Sequence, residues 1–87
     1  MKNYVDLTRK SLNEVNKFFE NELATKSGVS FKCGDDYYNV IRLSKGDYIL
    51  SELTLNRSGY VKDATTVNTY DTMDTVSYAV WYIANKS

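Results

Sequence analysis

The chain has no histidine, no proline, a single cysteine and no long apolar run. Without histidine, the Ser-His and Cys-His nucleophile pairs and every His-ligated metal site are closed. One cysteine supplies neither an internal disulfide nor a structural zinc site, which draws several ligands from Cys and His. A lone thiol fits a reducing compartment, so a cytoplasmic protein is expected. No stretch approaches the ~20 apolar residues of a membrane helix, and no membrane partner is expected. The opening Met1-Lys2-Asn3-Tyr4-Val5-Asp6 leads into charge and does not read as a secretory signal. On that reading the two Asn-x-Ser matches, at Asn56 and Asn85, are chance.

Phosphate-binding signatures are also missing. Gly34, Gly46 and Gly59 sit in separate turn-like stretches, and neither GxxxxGK[ST] nor GxGxxG occurs. No cofactor, catalytic residue or metal ligand is therefore assigned. Charge of one sign is lacking too, since eleven Lys/Arg balance eleven Asp/Glu. The balance is local as well as global, because residues 1–43 carry seven basic and six acidic residues and residues 44–87 carry four and five. Nucleic-acid binding draws on clustered Lys/Arg, so nucleic acid is disfavoured as a partner.

What the chain does have is the material of one small domain. Eighty-seven residues suffice for a single core and not for two, so residues 1–87 are taken as one globular unit. Hydrophobic residues at 43% and charged residues at 25% place it away from disorder. Eight Tyr and eight Asn with no Pro or His give a composition common in low-GC bacteria and their phages.

Val5, Thr8, Leu12, Val15, Phe19 and Leu23 recur at steps of three and four, which predicts an amphipathic helix over Asn3–Ala24. Two starts are open: Asn3 as a cap, or the capping box Ser11-Leu12-Asn13-Glu14 inside the segment. Lys26-Ser27-Gly28 ends it. Short alternating runs follow. Val29, Phe31 and Cys33 alternate with Ser30 and Lys32, pointing Cys33 inward as a small apolar residue with no activating neighbour. Tyr37–Leu43 is a second strand, with Tyr37, Ile41 and Leu43 on one face and Tyr38, Val40 and Arg42 on the other. Tyr48–Leu55 is a third, and Tyr60–Tyr70 a fourth with a break near Asp63-Ala64. The segment 71–86 satisfies two periods. Met73, Val76, Ala79, Val80 and Ile83 form a helical stripe, whereas Val76, Tyr78, Val80 and Tyr82 alternate as in a strand; the cap-like opening favours helix. The expected fold is α+β, an antiparallel meander of three to four strands between two helices (α-β-β-β-(β)-α), with both helices on one face.

Three groups are candidates for chemistry or binding. Asp35, Asp36 and Asp47 would support carboxylate chemistry if they converged, although aspartate is also an ordinary turn former. Tyr38 and Arg42 would form an aromatic and cationic patch if their strand face points away from the helices. Tyr78, Trp81 and Tyr82 lie opposite or beside the apolar stripe of the last helix, so that helix is apolar on two sides. The reading adopted is a non-enzymatic protein-binding module using Tyr78, Trp81, Tyr82, Tyr38 and Arg42. Its expected partner is a host protein, with a homodimer as a further form. Among short motif-free chains, a phage or mobile-element inhibitor of a host defence or regulatory protein, anti-CRISPR-like in kind, fits. The alternative is a weak single-stranded nucleic-acid binder using an aromatic sheet face.

Overall fold

The computed structural model describes residues 4–86, in the order β1 (Val5–Asp6), α1 (Leu12–Leu23), β2 (Gly28–Cys33), β3 (Asp36–Arg42), β4 (Tyr48–Leu55), β5 (Val61–Tyr70) and α2 (Met73–Lys86). One sheet runs β1-β2-β3-β4-β5. β2 to β5 form the antiparallel meander, and β1 adds a parallel partner at the β2 edge through Val5↔Phe31 and Asp6↔Lys32.

The N-terminal helix is shorter than its apolar stripe. Ser11 Oγ accepts the Glu14 amide and the Glu14 carboxylate accepts the Ser11 amide, each at 3.1 Å, so the internal capping box is the true start. The preceding residues are held out of the helix by their own hydrogen bonds. Asp6 Oδ1 accepts from both the amide and the hydroxyl of Thr8, and Thr8 Oγ1 accepts the Gly34 amide. Arg9 then takes a positive φ of 62°, which no helix interior contains. Val5 and Thr8 thus mimic the helical spacing by chance, and the expected helix over Asn3–Ala24 is corrected to Leu12–Leu23. Asn3 itself lies outside the described residues.

The hairpins follow from their turn residues. Cys33 pairs with Asp36, leaving the two-residue loop Gly34-Asp35 with φ 65° at its first position, the signature of a type II′ turn. The next two hairpins share one design. Leu43 and Asp47 in the first, and Asn56 and Tyr60 in the second, close the loop through the amide of the earlier residue, at 2.7 and 2.8 Å. Gly46 and Gly59 take the left-handed position each loop needs, at φ 102° and 86°. α2 is a helix, started by Thr72, whose Oγ1 accepts the Thr75 amide at 3.1 Å.

Both helices lie on one face of the sheet, side by side and antiparallel, with α1 over β2 and α2 over β4 and β5. Val15, Phe19 and Leu23 from α1 and Val76, Val80 and Ala84 from α2 meet Val29, Phe31, Cys33, Tyr38, Val40 and Leu50. This arrangement reverses the face expected for β3. Tyr38 and Val40 pair with Phe31, Val29 and Leu50, so their row points into the core, while Tyr37 and Ile41 point to the open side. No helix among the described residues is long and apolar enough to cross a membrane.

Candidate functional site

Two of the three candidate groups are dispersed by the fold. Tyr38 is only 8% exposed, and its ring stacks on Phe31 at 6.0 Å between centroids. Burial pushes its phenol above the ordinary range, with the nearby Asp36 and Glu52 adding to the effect. Arg42 is exposed at the far end of β3, so the pair forms no outward patch. The carboxylates are separated likewise. Asp35 and Asp36 sit at the β2–β3 turn, and Asp47 lies past the opposite end of β3, about 20 Å of strand away. Asp47 is ion-paired to Lys45 at 3.3 Å. No group of three or more Cys, Asp or Glu among the described residues is placed to hold a metal ion. Cys33 is buried, and desolvation, reinforced by Asp6 and Asp36, pushes its thiol up to about 12.

The third group stays together. Residues 76, 77, 80 and 84 of α2 face inward, and polar contacts pin one flank of the helix to α1 and to the turn that precedes it. Ser77 Oγ donates to Asn16 Oδ1 at 3.1 Å, and Asn85 Nδ2 donates to the Lys10 carbonyl at 3.1 Å. The other side of α2 faces away from α1 and borders the end of β5. There Tyr78 is 55% exposed and Tyr82 53% exposed, although each carries a large apolar ring. Trp81 is half-buried on the α1 side, with its ring 5.5 Å from that of Tyr78. Lys86 Nζ lies 5.6 Å from the centre of the Tyr82 ring, within cation–π range.

Between this side of α2 and the end of β5 runs an open groove of about 590 Å³. Ala79 and Ile83 form its half-buried apolar part, Tyr78 and Tyr82 its rim, and Tyr70 its wall from the sheet. Asp74 stands at the N-terminal end, and Lys86 follows one turn beyond Tyr82. Tyr78, Trp81 and Tyr82 were legible from the helical wheel. Tyr70, Ala79 and Ile83 join them only because β5 ends beside α2, which periodicity cannot show. Comparison with protein-family models, with curated proteins and with solved structures found no match to this chain.

Proposed function

We propose that this chain is a small non-enzymatic protein-binding module that docks through the aromatic side of α2. The carrying observation is the pair Tyr78 and Tyr82, both more than half exposed on a helix whose opposite side already fills the core. Tyrosine and tryptophan give large contact areas at small entropic cost and are enriched in interfaces, so an apolar groove rimmed by them suits a protein surface. The neutral net charge fits a protein partner better than a polyanion. In its narrower form, the module is a cytoplasmic inhibitor carried by a phage or mobile element, anti-CRISPR-like in kind, acting on a host defence or regulatory protein. That narrower form rests on the composition and on the missing active-site motifs.

Affinity capture from host cells, run side by side with the wild-type chain and Tyr78→Ala/Tyr82→Ala, tests the reading. The variant should keep the wild-type far-UV spectrum and lose the captured protein. Equal capture by both chains would overturn it.

Single-stranded nucleic-acid binding is the second reading. Burial of Tyr38 leaves it Tyr37 and Lys32 on the open sheet face, both half-exposed. It predicts oligonucleotide anisotropy that decreases steeply with salt. A flat signal at low salt removes it.

A further inference from the structure

We propose that the first occupant of the α2 groove is a second copy of this chain, joined through an antiparallel α2–α2 pair about a two-fold axis. The inference rests on the reading of this side of α2 as a docking surface. Its own basis is the order of residues along that side. Asp74, Tyr78, Tyr82 and Lys86 follow at steps of four and therefore run along one flank of the helix. Acid stands at the start, two aromatic rings in the middle and a cation at the end. Such a sequence is complementary to itself when reversed.

A two-fold interface requires that if residue i meets j, then j meets i. With the axis near residue 80, Asp74 of one copy faces Lys86 of the other, Tyr78 faces Tyr82, and both contacts occur twice. A parallel copy would instead set Asp74 against Asp74 and Lys86 against Lys86, so charge selects the antiparallel arrangement. Within the groove, Ala79 leaves room between the two tyrosines, and the incoming Tyr82 ring can seat over it while its own Ala79 receives the partner's ring. Tyr78 and Tyr82 are more than half exposed in the single copy, so pairing removes apolar area that the monomer leaves in water.

The pairing also gives the groove a resting state. A copy of the chain and an outside partner would compete for the same side of α2, so capture of a partner should weaken as the module is concentrated.

The test is charge exchange. Sedimentation velocity on the full chain over about 1–500 µM should show concentration-dependent dimers. Asp74→Lys places lysine opposite Lys86, and Lys86→Asp places aspartate opposite Asp74; each variant alone should dimerise roughly tenfold more weakly. An equimolar mixture of the two variants should restore wild-type association as a heterodimer, as should the double variant D74K/K86D. Tyr82→Ala should abolish association with the far-UV spectrum unchanged. Monomer throughout the range overturns the self-pairing while leaving Tyr78- and Tyr82-dependent capture of a partner intact. Dimers indifferent to all these substitutions overturn it too. Loss of self-association in Tyr82→Ala with partner capture unchanged instead separates the dimer from the docking reading and sinks the latter.

Discussion

Individual residues carry two commitments that can be measured. Arg9 holds φ 62° in the turn between β1 and α1, where its amide reaches the Ala84 carbonyl at 3.5 Å and Lys10 N closes back on Leu7 O at 3.2 Å. A left-handed conformation costs an L-residue about 1–2 kcal/mol, and glycine is free of that cost but brings a more flexible unfolded chain. Arg9→Gly should therefore stabilise the protein by a few tenths to about 1 kcal/mol, read as a raised urea midpoint at constant m-value. Cys33 makes the opposite kind of commitment. The native thiol should resist Ellman's reagent until the chain unfolds, since it is buried and its pKa is pushed up to about 12. Above the ordinary thiol value near 9 the unfolded chain releases this proton while the folded one keeps it. The folded state then binds more protons, so stability should be full below about pH 9 and decline as pH rises toward 12. The raised Tyr38 phenol acts in the same direction. Cys33→Ala should flatten part of that alkaline decline.

Elements show where sequence reading succeeds and where it lacks information. The three hairpins of β2–β3–β4–β5 were legible because Gly34, Gly46 and Gly59 sit where the turns need positive φ. The existence of α2 was legible from its cap and stripe, although its tyrosines prefer strands. The face of β3 was not. Tyr37 and Ile41 on one side match Tyr38 and Val40 on the other in size and hydrophobicity, so alternation alone has no preferred direction. The choice is made across the sheet, where Phe31 and Leu50 stand opposite Tyr38's row on both neighbouring strands. A two-residue strand such as β1 leaves no periodic trace at all, and its parallel pairing depends on Lys32 O receiving the Leu7 amide at 2.9 Å. At α1, the true start was present as the capping box but was outweighed by the longer stripe. Ser11→Ala should cost about 1 kcal/mol by removing the accepting hydroxyl for the Glu14 amide, measured by thermal or urea unfolding.

Across the whole molecule, the most buried and the most exposed tyrosines have different jobs. Tyr38 and Tyr48 are buried in a core shared by both helices and the sheet, whereas Tyr60, Tyr78 and Tyr82 each expose more than half of their surface. The division predicts opposite mutational signatures. Tyr38→Ala should destabilise by about 3–5 kcal/mol, enough to threaten the fold of an 87-residue domain. Tyr78→Ala and Tyr82→Ala should shift stability by no more than about 0.5 kcal/mol and act on association alone. A urea series on the three variants distinguishes structural from docking tyrosines without knowledge of any partner.

β5 pairs with β4 through two register slips, and these carry a consequence for the protein's life in concentrated solution. β5 closes one edge of the sheet with ten residues, and its stretch 64–70 has neither charge nor proline. A straight edge of that kind recruits further strands and grows into fibres. Two steps in the pairing with β4 leave Lys62 and Val67 as extra residues, which bend the edge and interrupt its row of hydrogen-bonding groups. Deleting Val67 would join Thr66 to Asn68 with their faces still alternating, and so repair the ladder. The shortened chain should fold, yet its stored solutions should turn turbid and bind thioflavin T while the parent stays clear.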